Sequence, residues 1–185
     1  MAGSAGTKDS EPDLFGIYLN DHLAVTTGVV ELARRTARSN QGSDIGDVLA
    51  RLEAEVGEDR TALLHMMAAL EVPLRHYKVY AAWAAEKVGR LKLNGHIRGR
   101  SPLSIVVELE ALRLGVEAKT AGWRTLREVA EHDGRLDAAH LDGLLARARH
   151  QADVLEKLRA RKASDVFGGR AGYCLSPSCH TVGGL

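Results

Sequence analysis

The strongest constraint in this sequence is the helical spacing of its apolar residues, which recur every three or four positions over stretches of about 20 to 30 residues. Only 4 prolines occur among 185 residues, and Ala, Leu, Arg and Glu are frequent. These are strong helix formers, and no stretch alternates with the period of two that a strand requires. We therefore predict an all-α fold, built as an up-and-down helical bundle.

Polar breaks divide the apolar pattern into four long helices and one shorter helix. Ser43 or Asp44 is the expected cap of the second helix, and Ser101 followed by Pro102 is the expected start of the fourth. The predicted helices span about 14–38, 44–71, 74–91 (the shorter one), 102–131 and 137–162. The bundle domain covers 13–163, between a flexible N-terminal arm at 1–12 and a flexible tail at 164–185 that contains Gly, Ser and Cys.

Charge and hydropathy argue against several classes of function. The 25 Lys and Arg residues nearly balance the 24 Asp and Glu residues, so no overall positive field attracts nucleic acid or anionic lipid. Charges interrupt every apolar run before it reaches the length of a membrane span, and the N-terminus has no signal-peptide core. We expect a cytoplasmic protein that binds neither nucleic acid nor membrane.

Carboxylates stand at positions where the helical period calls for apolar residues. On the fourth predicted helix, Glu110 and Glu117 continue a row of apolar residues and lie roughly 10.5 Å apart along the axis. On the second, Asp59 lies inside the stripe with Glu55 one turn earlier, and on the first Asp21 lies in the stripe beside His22. The spacing predicts that these side chains converge inside the bundle.

Inward carboxylates need a partner, because an unpaired buried charge is costly. One explanation is a bound cation, which would make these six residues the ligands of a metal. The other is a set of ion pairs with Arg60, Arg113 and Arg124, which border the same stripes. We rank the ion-pair network first and keep the metal site as the alternative.

This pattern resembles the ferritin-like superfamily, whose helical bundles hold two iron or manganese ions between inward carboxylates. The resemblance covers about residues 13–162. It implies iron or manganese at Glu110 and Glu117 first, then at Asp59 and Glu55, with Asp21 or His22 as outer ligands. The family's Glu-x-x-His motif does not occur on the predicted second, fourth or fifth helix. The resemblance therefore implies carboxylate ligands only, and whether the chain is an enzyme stays open.

Five positive residues and no acidic one lie between Lys87 and Arg100, directly before the predicted start of the fourth helix. Such a stretch binds an anion at the helix N-terminus in some proteins and is a solvated loop in most. Without a glycine-rich phosphate loop or interleaved aromatic residues, the solvated loop is the preferred interpretation.

The tail at 164–185 carries both cysteines and a terminal motif. Cys174, Cys179 and His180 are one ligand short of a closed zinc site, so we expect a disulfide or two free thiols. The last five residues, Thr181 to Leu185, resemble the C-terminal peptides by which encapsulin shells capture cargo proteins. That resemblance implies a shell or other protein partner for the tail.

Three functions follow as hypotheses. The first is a ferritin-like bundle that binds iron or manganese through its inner carboxylates. The second is a non-catalytic scaffold or protein-interaction module with Arg-paired carboxylates, for which a homo-oligomer is an expected state. The third is a cargo protein of an encapsulin shell.

Overall fold

A computed structural model describes residues 13–74 and 101–168 of the chain. These residues form four helices and no strands, which confirms the predicted all-α class. The helices are α1 (Leu14–Ser39), α2 (Gly46–Ala69), α3 (Pro102–Val129) and α4 (Ala138–Phe167). None of these four combines the length and apolar composition that a membrane crossing requires.

Side chains cap three of the helices at their N-termini. Asp13 accepts a hydrogen bond from Gly16 N, Ser101 from Leu103 N, and Asp137 from Ala139 N. Each cap satisfies a backbone N–H that has no acceptor within its own helix. Pro102 occupies the first turn of α3, as predicted from its position after Ser101.

The start of α2 and the end of α4 differ from the prediction. Ile45 is the N-cap of α2, and its apolar side chain cannot accept a hydrogen bond. The predicted caps are engaged elsewhere, since Ser43 Oγ donates to Asn40 O and Asp44 pairs with Arg161 and Lys162. The last helix ends at Phe167 rather than near 162. Lys162 stabilises this extra turn, since its ammonium lies 3.2 Å from Asp44 and 3.5 Å from Asp165.

Cross-helix contacts give the directions of the four helices. Tyr18 bonds Thr125 and Thr36 bonds Glu108, so α1 and α3 are antiparallel. The α1–α2 and α3–α4 pairs are antiparallel hairpins. Ion pairs between α2 and α4 show that these two helices are also antiparallel. It follows that α2 and α3, which lie diagonally opposite each other, run in the same direction. Pro73 lies beside the start of α1, whereas α3 begins near its other end. The chain between them therefore joins opposite ends of the bundle.

The core lies between the four helices and is built mainly from Leu. The helical spacing of apolar residues also predicts the inner faces of α2 and α4, and both are confirmed: Leu49, Leu52, Val56, Leu63 and Met66 are buried on α2, and Leu141, Leu144, Leu145, Ala148, Leu155 and Leu158 are buried on α4. Trp123 of α3 is the largest side chain with almost no exposure among the described residues. Burial of these side chains is the main stabilising contribution to the bundle.

The predicted inner faces of α1 and α3 are wrong. The helical spacing places Leu14 in the same row as Asp21 and Leu114 in the same row as Glu110 and Glu117, and so predicts that both face inward, but Leu14 is 72% exposed and Leu114 is 71% exposed. The buried face of α1 instead includes polar residues such as Asn20, Thr26 and Thr36, which an apolar pattern does not count. The buried row of α3 contains Val106, Leu109, Leu112, Val116, Lys119, Trp123 and Leu126. The buried rows of both helices are mainly apolar, but each helix also carries a second row of apolar residues that lies outside the core, so spacing alone does not decide which row faces inward.

Two glycines of α3, seven residues apart, bring α1 and α3 close together. A Cβ at Gly115 would lie 2.2 Å from Val29 Cγ2, and a Cβ at Gly122 would lie 2.9 Å from His22 Nδ1. Both distances are too short for a side chain, so the helices approach closely only because these positions have none. Gly57 on α2 is different, since a Cβ there would meet nothing within 4 Å.

Several predictions concern residues outside the described ranges. These are the shorter helix at 74–91 beyond Leu74, the arm at 1–12, the basic stretch at 87–100, the cysteines with His180, and the terminal peptide at 181–185. They stay predictions, as does the complete up-and-down course of the chain.

We predict opposite effects for two Gly→Ala substitutions. Gly57→Ala should raise the free energy of unfolding by up to about 1 kcal/mol, because alanine favours a helix and nothing obstructs it. Gly115→Ala should be less stable than Gly57→Ala by about 1–3 kcal/mol, because the new methyl group overlaps the stiff, β-branched Val29. Urea unfolding monitored by circular dichroism gives both values. Equal stabilisation of the two variants would mean that α1 and α3 are not in close contact.

Candidate functional site

A network of charged and polar side chains lies at the centre of the bundle. Asp59 of α2 is 1% exposed, Lys119 of α3 is 2% exposed, and Gln151 of α4 is 1% exposed. Each stands in a row of buried apolar residues, one helical turn from its neighbours, so the same helix faces that build the core bring the three together. Arg147 and Glu55 border the group at the α2–α4 contact.

Every member of the network has a hydrogen-bonding partner. Lys119 Nζ donates to Asp59 Oδ2 and to Gln151 Oε1, the latter at 2.6 Å. Arg147 Nη2 donates to Asp59 Oδ1, so both oxygens of Asp59 accept from cationic side chains. Gln151 Nε2 donates to Glu55 Oε2 at 3.1 Å and to Asp59 Oδ2 at 3.2 Å. The amide of Gln151 thus contacts Lys119 through its oxygen and the carboxylates through its nitrogen.

Burial and pairing have opposite effects on Lys119. Removal from water lowers the pKa of its ammonium below the usual 10.5, because the charged form loses hydration. The Asp59 carboxylate opposes this through its charge and its hydrogen bond, and Arg147 adds a smaller lowering effect. A buried lysine of this kind depends on its carboxylate partner to retain the charge.

The predicted site residues do not converge as expected. Asp59 is buried as predicted, and Glu55 is half-buried and bonded to Gln151. Glu110, Glu117 and Asp21 are exposed, so their predicted inward orientation is wrong. The reason is the shift of the α1 and α3 faces, which moves all three toward solvent.

The arginines predicted as partners also differ from those observed. Arg60 donates to Thr27 and Arg113 pairs with Glu156, whereas Arg147 contacts Asp59. Lys119, Gln151 and Arg147 are members of the network that the sequence pattern did not predict. Lys119 interrupts the apolar row Leu112, Val116 and Trp123, and Gln151 interrupts the row Ala148 and Leu155. A polar residue within an apolar row is the signal that identified Asp59, so the same signal is present for both residues once the core face is known.

His22 lies at the α1–α3 contact, half-buried and apart from the network. Its ring is 4.4 Å from the Tyr18 ring in an edge-to-face arrangement, and its Nδ1 faces Gly122. That Nδ1 is buried and has no hydrogen-bonding partner among residues 13–74 and 101–168. Burial lowers the pKa of His22 below 6.5, and the charge of Asp21 opposes the change in part. His22 is therefore neutral near pH 7.

This arrangement does not fit a bound cation. Across 13–74 and 101–168, no three His, Cys, Asp or Glu side chains are grouped so that they could hold a metal ion. Asp59 is already neutralised, since the Lys119 ammonium and the Arg147 guanidinium lie against its two oxygens. The ammonium of Lys119 thus stands where a metal would lie among inner carboxylates, and it supplies the positive charge that they need.

Comparison with known proteins identifies no relative of this chain. No protein-family model, no curated protein and no solved structure matches this chain.

We predict that Lys119→Met lowers the free energy of unfolding by about 3–5 kcal/mol, because Asp59 is left buried without its ammonium partner. The double variant Asp59→Leu/Lys119→Met should recover part of this loss, since it removes both charges. Glu117→Ala, two residues away on the exposed side of α3, is the control and should change stability by less than about 0.5 kcal/mol. Chemical denaturation of the four proteins tests the pairing. A small loss in Lys119→Met, comparable to that of the control, would contradict it.

We also predict an acid-dependent loss of stability at His22. The folded-state pKa lies below the unfolded value of 6.5, so the unfolded chain takes up the proton first as the pH falls. The contribution of His22 is complete above pH 6.5 and is lost between that pH and the folded-state pKa. The free energy of unfolding should therefore fall between pH 7.5 and a pH below the folded-state pKa of His22. His22→Gln should make this fall smaller, as measured by chemical denaturation at the two pH values. His140→Gln, a substitution of the same type at an exposed position on α4, is the matched control.

Proposed function

We propose that this chain is a non-catalytic helical-bundle protein that acts by binding another protein. The observation that carries this proposal is the internal neutralisation of Asp59 by Lys119 and Arg147. The two oxygens of Asp59 accept three hydrogen bonds from Lys119, Arg147 and Gln151, which leaves little acceptor capacity for a metal ion or a substrate. The network therefore serves the fold and leaves function to the surface.

The outer face of α1 is the surface that best fits this role. Leu14, Ile17 and Val25 are exposed along it, and positions 14, 17, 21 and 25 fall within an arc of about 80° on the helix. Leu114 of α3 is exposed at the level of Val29, because Val29 packs on Gly115. Exposed apolar residues grouped on one face are typical of a protein-binding surface.

Asp21 defines the kind of partner that this face would accept. It is exposed in the middle of the stripe, between Ile17 and Val25. Two copies of α1 packed antiparallel across a two-fold axis would bring their Asp21 carboxylates together, and like charges in contact disfavour that arrangement. An apolar segment that carries a Lys or Arg opposite Asp21 fits better, because it pairs the charge while it covers the stripe.

The ferritin-like hypothesis has one supporting feature, the connection that joins α2 to the far end of α3. Ferritin-like bundles contain one such long crossover. We propose a ferritin-like relationship for the fold only. For the function we favour an interaction role over the binding of iron or manganese, because the Lys119 ammonium is the cation beside the buried Asp59 carboxylate.

The interaction role is tested with a photo-activated cross-linking residue at position 25, compared with position 149 on the exposed side of α4. We expect position 25 to capture one defined protein in the native cell extract, and position 149 to capture none. The captured protein, once purified, should bind the bundle directly. Its Kd should rise by about tenfold or more in Asp21→Arg, because the substitution reverses the charge that the partner pairs.

Asp153→Arg is the matched control, since Asp153 is also exposed but lies on α4. It should leave the Kd unchanged. Equal weakening by Asp21→Arg and Asp153→Arg would contradict a role for the α1 face, as would the same cross-linked products from positions 25 and 149.

Elemental analysis of the purified protein distinguishes the proposed interaction role from the metal-binding hypothesis. Protein purified without a tag or chelator should contain iron and manganese at well below one equivalent per chain, both before and after reconstitution. One or more equivalents that are lost in Asp59→Ala would overturn the proposal in favour of a metal-binding bundle.

A further inference from the structure

The chain that joins α2 to α3 starts and ends at opposite ends of α1. Pro73 O accepts a hydrogen bond from Asn20 Nδ2 at 3.0 Å, so the chain leaves α2 beside the first half of α1. The helix α3 begins six residues before Glu108, whose carboxylate lies 3.3 Å from Thr36 Oγ1, near the C-terminal end of α1. Residues 75–100 (the connecting segment), which lie outside the described ranges, therefore have to cover the length of α1.

The endpoints also favour one side of the bundle for this connection. Because α2 and α3 lie diagonally opposite each other, a chain that joins them passes along the outer side of either α1 or α4. Pro73 already bonds α1, and Leu74 after it is exposed to solvent. The outer side of α1 is therefore the expected route.

The length of the connecting segment fits this route. The part of α1 between Asn20 and Thr36 and the first six residues of α3 together extend over about 33 Å. The helix predicted at 74–91 would span about 27 Å. The nine residues after it reach the start of α3 even when they are only partly extended.

The outer side of α1 presents an apolar surface to the connecting segment. Leu14, Ile17 and Val25 are exposed there, and Leu114 of α3 is exposed beside them. The segment carries a matching row of apolar residues at helical spacing, formed by Tyr77, Ala81, Ala84, Val88 and Leu91. Burial of the two rows against each other removes both from water, which favours their contact.

Charge favours the same contact. The connecting segment contains seven Lys and Arg residues and only one acidic residue, Glu86. Asp21 is exposed in the middle of the apolar surface of α1. Lys78 follows Pro73 by five residues and borders the apolar row of the segment, so it lies about one helical turn beyond the level of Asp21. A lysine side chain is long enough to cover that distance.

We propose that the connecting segment packs along the exposed apolar surface of α1, as a helix over 74–91 in which Lys78 pairs with Asp21. The partner protein of the proposed function then binds this surface in competition with the segment, so that the segment regulates its access. The competition rests on the proposed function, whereas the docking of the segment does not.

Photo-cross-linking of the purified protein tests the docking. A photo-activated residue at position 25 should link mainly to peptides from 75–91 of the same molecule, at a yield that does not depend on protein concentration. The same residue at position 149, on the exposed side of α4, should not link to them. Mass spectrometry after proteolysis identifies the linked peptides. No link from position 25 to the connecting segment would overturn the proposal, as would links only between two molecules.

This experiment separates the proposed docking from the proposed function. The purified protein contains no partner, so a missing link to the connecting segment contradicts the docking alone. The proposed function is judged by what position 25 captures in the cell extract.

Charge reversal tests the pairing of Lys78 with Asp21. Lys78→Glu should lower the yield of the link by about threefold or more, because it places like charges in contact. Asp21→Arg/Lys78→Glu exchanges the two charges and should restore the yield. Arg90→Glu, which changes a basic residue outside the apolar row near the other end of the segment, is the matched control and should retain the link. An equal loss in Lys78→Glu and Arg90→Glu would contradict the pairing.

The affinity for the purified partner tests the competition. The Kd should be about threefold or more lower for Lys78→Glu than for Arg90→Glu, because a weaker competitor leaves the surface of α1 free in more molecules. Equal Kd values for the two variants would overturn the competition.

Discussion

The pairing of Asp59 with Lys119 is the interaction on which the arrangement of the bundle depends. The two residues come from α2 and α3, which lie across the diagonal, so the contact passes through the centre of the core. Each charge would be strongly unfavourable there alone, since little water reaches it. The α1–α2 and α3–α4 hairpins must therefore dock in the one register that brings the ammonium to the carboxylate.

This constraint contributes more to specificity than to stability. Apolar helices of similar length can slide or rotate against one another at little cost, because Leu packs adequately against many neighbours. A buried charge pair with fixed hydrogen-bond geometry has far fewer acceptable positions, and the Gln151 amide reduces them further by contacting both Lys119 and Asp59. Arg147 extends the network to the surface at the α2–α4 contact, where it also bonds Glu58 at 2.8 Å.

The close contact between α1 and α3 is controlled differently, by small residues rather than charge. Gly115 and Gly122 allow the helix backbones to approach, and the side chains that then fill the contact are Val29 and His22. Placing an imidazole in this position makes the contact sensitive to acid, because its neutral form is the one that burial favours. The outer surface of α1 and α3 carries exposed apolar residues. The packing of α1 against α3 therefore also determines which face of α1 is exposed for the proposed binding of a partner.

The sequence by itself determined the helical class, the cap at Ser101, and the inner faces of α2 and α4, because these follow from local spacing and short-range hydrogen bonds. It also identified Asp59 as a buried carboxylate. Only the tertiary structure decided the inner faces of α1 and α3, and with them the exposure of Glu110, Glu117 and Asp21. Each of those helices has apolar residues on two faces, one buried and one that includes the exposed Leu14, Val25 or Leu114, and local spacing cannot choose between them. The partners of Asp59 likewise come from helices distant in the chain, and a charge pair between them is formed by packing rather than by local sequence.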